Sequence, residues 1–123
     1  VTATLPLTGS TRAVALGRTA AVLAVGSAGV HLLLAASGEL SAVAMAVMAL
    51  ACLPCAWHLW RAPSGQVWAL SALVDAGMLA VHAPMVVGGG HDGMAHGPSS
   101  TVVAGLALVT VQLVLAAVAL LRR

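Results

Sequence analysis

The sequence has no lysine, no phenylalanine and no tyrosine, and charged residues make up only 7% of it. A soluble domain of this length carries a shell of roughly 25% Asp, Glu, Lys and Arg. Three acidic and five basic residues cannot build that shell, so lipid must solvate most of the surface. A net charge of +2, with every arginine at the edge of an apolar run, excludes nucleic acid as a partner. There is no phosphate-binding glycine loop, no nucleophile–base pair and no zinc-protease motif. No catalytic residue is therefore assigned, and binding is expected rather than enzymatic turnover.

What is present is apolar. Hydrophobic residues make up 61% of the chain, the mean hydropathy is +1.07, and Ala, Val, Leu and Gly dominate. That bias is typical of a GC-rich genome, which points to an actinobacterial source. Four apolar runs cover residues 13–37, 40–60, 67–87 and 101–121. Each is about 20 residues long, enough to cross a hydrocarbon core of roughly 30 Å at a rise of about 1.5 Å per residue. The expected fold is all-α: an integral membrane four-helix bundle, up-down-up-down, forming one transmembrane domain over residues 1–123. A cleavable signal ending near Ala35-Ala36-Ser37 is the competing reading of the first run. Signal cores run about 7–15 residues, so this longer segment is expected to be retained as a span.

The arginines set the expected orientation. Arg12 and Arg18 precede most of the first run, Arg61 lies between the second and third, and Arg122 and Arg123 follow the fourth. Four spans bring all five to one side, while the other two connections carry Glu39 and Asp92. The positive-inside rule makes the arginine side cytoplasmic, with both termini there, in a bacterial inner membrane.

Polar and sulfur residues recur at heptad spacing. The second run has Ser41, Met45, Met48, Cys52 and Cys55, and the third has Trp68, Ser71, Asp75, Met78, His82 and Met85. Ala20, Ala24, Ser27, His31 and Leu34 form a weaker stripe on the first, and Thr101, Gly105, Leu108, Gln112 and Leu115 one on the fourth. Three-four spacing places each set on one helix face, and polar side chains within spans face the bundle interior. The second and third helices are expected to be antiparallel neighbours. Their depths pair Met45 with His82, Met48 with Met78, Cys52 with Asp75 and Cys55 with Ser71.

All five Met and four of the five His fall in the outer half or in the outer loop 88–99. Imidazole and thioether donors together favour copper, the soft sulfur suiting its monovalent form. His31, Met45 and His82 lie at one depth and are the expected ligands. Met48, Met78 and Met85 stand nearby, and His91, Met94 and His96 lie in the loop above. The competing reading is that Met fills gaps between helices and His bonds across an interface. Cys52-Leu53-Pro54-Cys55, followed by His58, forms a second candidate site on the arginine side, against which stands the reading of two ordinary buried thiols. Asp75 is the one acidic residue within a span. It serves either as a proton relay or as a neutral hydrogen-bonding group between helices.

The run Ala44 to Ala49, the His at the end of the preceding span and the His/Met/Gly-rich outer loop resemble an uncharacterised actinobacterial family of small Met/His-rich multi-span membrane proteins. The similarity covers about residues 31–97, and what it implies is metal handling. The expected function is thus a small inner-membrane protein that binds or handles a soft metal ion, copper foremost. One alternative is a non-catalytic accessory subunit of a larger membrane complex, for instance a respiratory one, with Gly17, Gly26 and Gly29 suited to helix docking. Another is a b-type haem held by His31 and His82, disfavoured by the missing Phe and Tyr that often wall such a pocket. A homo-oligomer is a further expected assembly.

Overall fold

In a computed structural model of the chain, four helices form where the four apolar runs stand: α1 Thr8–Ser37, α2 Ala42–Arg61, α3 Gly65–Val87 and α4 Ser100–Leu121. The structure describes the backbone of residues 8–38, 42–87 and 99–122, and the side chains of 11–38, 42–84 and 99–122. Met85 lies on α3, but its side chain is outside the described residues; so are Glu39, Ser41, His91, Asp92, Met94 and His96. All four helices are long and apolar enough to cross a membrane, the architecture of a multi-pass membrane protein.

Local chemistry explains the ends. α1 begins earlier than its apolar run, taking in Thr8, Gly9, Ser10, Thr11 and Arg12. It closes at Gly38, whose φ of +71° is the left-handed conformation that ends helices at little cost for glycine. α2 runs through Pro54, whose ring stays on the exposed outer face. The tight connection to α3 is set by Ser64, which accepts from the amide of Val67 at 3.3 Å through its hydroxyl and from Trp68 at 3.1 Å through its carbonyl. Ser99 caps α4 in the same way, accepting from Val102 at 3.4 Å.

The helices form a ring in chain order. α1 packs most closely on α2 and also on α4, α3 packs on α4, and the α2–α3 side is the loosest. Contacts fix the register: the start of α1 meets the end of α2 at Gly17, and Val30 meets Gly105 of α4. His31 of α1 reaches across the bundle to His82 of α3. Neighbours around the ring are therefore antiparallel.

Gly17 marks the closest helix approach. A Cβ there would lie 2.7 Å from the Leu59 carbonyl oxygen and 2.8 Å from the Pro63 ring. Behind it, Ala20, Ala21, Ala24, Ala56, Ala116 and Ala119 surround Trp68 and Leu59. With no Phe or Tyr available, small side chains draw the helices together and one indole, only 2% exposed, fills the space between them. A second cluster of Ala28, Ala49, Cys52, Met78 and Val109, with Met48 against it, lies nearer the other end. Val22, Leu33, Val43, Leu50, Leu73 and Val114 are among the large apolar side chains left on the outside, as expected where lipid is the solvent.

The inward stripes of α1 and α3 are buried as the spacing implies, from Ala20 to Leu34 and from Trp68 to His82. On α2, Met45, Cys52 and Cys55 are buried and Met48 is half-buried. The α4 stripe differs from expectation. Val109, Gln112, Ala116 and Ala119 are its buried residues, whereas Thr101, Gly105, Leu108 and Leu115 are only half-buried. Ala116 and Ala119 pack in one cluster with Ala20, Ala21 and Ala24 of α1.

Candidate functional site

Two histidines meet at the end of the bundle opposite the arginines. In each, the imidazole Nδ1 lies 2.7 Å from the carbonyl oxygen four residues earlier, His31 on Ser27 and His82 on Met78. A carbonyl can only accept, so both Nδ1 atoms carry the proton, and the lone pair of each ring resides on Nε2. The side chains are 3% and 7% exposed, and the ring centroids stand 5.8 Å apart with planes at 75°. With Nδ1 engaged by the carbonyl, Nε2 is the position each ring has left for a ligand or a hydrogen bond.

Beside the pair is a cavity of about 20 Å³. Its walls are the two imidazoles, Met78 and an apolar set that includes Leu34, Leu79 and Val109. Gly105 contributes to the lining and brings no side chain into it. One water requires roughly 10–15 Å³, so the space suits a single water or a single ion. Two neutral imidazoles and a thioether are donors for a soft ion, and a backbone carbonyl on Nδ1 is the usual support that fixes a ligating imidazole.

The candidate ligands are thereby sorted. His31, His82 and Met78 share the cavity. Met45 is just as buried, yet does not line it, and Met48 packs one layer away with Met78. Sequence spacing places Met45 and Met78 on inward faces equally well, and only the rotation of each helix selects between them. No group of three or more His, Cys, Asp or Glu gathers among the described residues. Cys52 and Cys55 are buried free thiols, while His58 is exposed and lines an outer groove with Pro54, Trp57 and Trp60. The three residues of the second candidate site are thus not brought together.

Between the histidines and the alanine-lined end lies a polar layer. Ser27, Ser71, Asp75 and Gln112 are each 1–2% exposed. The Gln112 amide donates to Ser71 at 3.4 Å. Ser27 lies beside the Cys52 thiol, and Asp75 is near both cysteines. Ser27 Oγ, Asp75 Oδ2 and Gln112 Oε1 have no protein partner among the described residues. An unsatisfied buried polar atom costs about 1–3 kcal/mol. Three from three helices make this the least satisfied layer of the bundle, and the one best suited to internal water.

At the arginine end, the Arg18 guanidinium lies 5.2 Å from the centroid of Trp60, and that of Arg61 4.9 Å from Trp57. These cation–π pairs tie α1 to α2 and anchor the end of α2. Comparison with family models, curated proteins and solved structures gives no match to this chain.

Proposed function

We propose that the protein resides in a bacterial inner membrane with both termini cytoplasmic, and binds a soft metal ion, monovalent copper foremost, through His31 and His82 with Met78 as third donor. The observation that carries this reading is the paired imidazole geometry. Both rings hold Nδ1 on a backbone carbonyl, which leaves Nε2 as the donor position, and both line one ion-sized cavity. Met85, His91, Met94 and His96 are the donors that would deliver an ion to this end of the bundle. The role is binding or handling, with no catalytic residue assigned.

A b-type haem on the same two histidines is less well supported, because a macrocycle needs many times the 20 Å³ beside the rings. The accessory-subunit reading draws support from the outer α1–α2 groove of about 870 Å³, an apolar face for a neighbouring helix. The two roles are compatible.

Titration of the purified protein with monovalent copper against a chromophoric chelator tests the proposal. His31→Ala and His82→Ala, each of which removes a ligand, should lower affinity by more than the roughly 10–100-fold that loss of an outer-shell partner costs. Met78→Leu should lower it less, and helical circular dichroism should be retained. Equal binding by the parent and both His variants would sink the copper reading.

A further inference from the structure

Two grooves of similar size open on the outside of the bundle at its arginine end, and their linings differ in charge. The α1–α2 groove, about 870 Å³, is apolar apart from His58. Its neighbouring cations, Arg18 and Arg61, already lie over Trp60 and Trp57. The α1–α4 groove, about 800 Å³, has Arg12 and Arg122 in its lining, together with Thr19, Leu16, Trp68 and Ala119. The cation–π pairs among the described residues involve Arg18 and Arg61 and neither of these two arginines, which are exposed, whereas Asp75 is buried inside the bundle.

Among the described residues the one acidic side chain is that of Asp75. Asp75 is 2% exposed inside the bundle, and Glu39 and Asp92 belong to the two connections at the opposite end. Two guanidiniums at the end of a membrane span thus meet no counter-charge from the described side chains. They sit over a groove whose other walls, Thr19 apart, are apolar. An anionic headgroup bearing acyl chains satisfies both parts at once: guanidinium binds phosphate through paired N–H donors, and the chains lie along Leu16 and Ala119. Basic pockets between helices at the cytoplasmic surface recognise acidic lipids by this combination.

We infer that the α1–α4 groove is a binding site for one anionic phospholipid, its phosphate held between Arg12 and Arg122 and its acyl chain lying toward Trp68. The site is independent of the histidine pair at the other end.

Native mass spectrometry of the full chain, delipidated in detergent and given equimolar dioleoyl phosphatidylglycerol and dioleoyl phosphatidylcholine, reads the occupancy directly. The parent should retain the glycerol lipid about tenfold more than the choline lipid. Arg12→Gln with Arg122→Gln should abolish the preference, and Arg12→Lys with Arg122→Lys should keep most of it. Arg18→Gln with Arg61→Gln, which removes the same charge from the other face, should leave it intact. The inference is overturned if the parent shows no preference. It is equally overturned if the two Gln pairs lose the preference alike, since the end would then attract acidic lipid by net charge and not through this groove.

Discussion

At the scale of residues, an imidazole inside lipid has two nitrogens to account for, and the helix itself settles one. The carbonyl at i−4 lies within reach of Nδ1, so His31 and His82 arrive at the cavity in the same tautomer with no other side chain needed to orient them. What remains variable is the room beside them. Gly105 lines that space, and a Cβ there would approach Val30 Cγ1 to 3.1 Å. Gly105→Ala should therefore leave both imidazoles in place but crowd the cavity. The expected result in the same chelator competition is a roughly tenfold weaker copper affinity, about 1.4 kcal/mol, with little loss of helix. Unchanged affinity would show that Gly105 does not limit the space available to the ion.

At the scale of helices, association in lipid rests on close contact, since apolar burial offers little between surfaces that lipid already covers. α1 and α2 illustrate this at Gly17, where the backbone of α1 runs against the Leu59 carbonyl and the Pro63 ring. A methyl at that position meets backbone on one side and a rigid ring on the other, neither of which can swing away. Gly17→Ala should destabilise the fold by about 1–3 kcal/mol, the usual cost of overpacking, and lower the thermal unfolding midpoint in detergent. Gly29→Ala is the matched control, because nothing lies within 4 Å of its added Cβ. Equal midpoints for the two variants would show that α1 and α2 are not held by this approach.

At the scale of the whole molecule, the bundle is polarised along its axis. One end holds the arginines and the alanine-wrapped Trp68, the middle holds Ser27, Ser71, Asp75 and Gln112, and the other end holds the imidazole pair. The proposed orientation is tested by a membrane-impermeant maleimide on intact cells. Ser100→Cys, exposed at the histidine end, should label from outside; Ala62→Cys, exposed at the arginine end, should label only after permeabilisation. The native thiols are buried and give a low background. The opposite pattern would invert the bundle and place the proposed copper site on the cytoplasmic side.

Much of this was legible in the residues alone. Scarcity of charge required lipid, four runs of span length required four helices, and Arg12, Arg18, Arg61 and Arg122, at the start of α1 and the ends of α2 and α4, gathered at one end. The inward stripes of α1 and α3 followed from three-four spacing, because every polar side chain on them has the same reason to leave lipid. Spacing fails where residues are alike in that respect. Leu108 and Leu115 are as apolar as Val109 and Ala116, so spacing does not choose between them; packing does, with Val109 in the cluster of Ala28 and Met78 and Ala116 in the one around Trp68. Met45 and Met78 are likewise equivalent on a helical wheel. A wheel fixes a face to within about half a turn, but not the neighbour that face meets or how closely it approaches. Those were decided by packing: the close approach of α1 to α2 at Gly17, the looser α2–α3 side, and the diagonal that brings His31 to His82 with Met78 beside them.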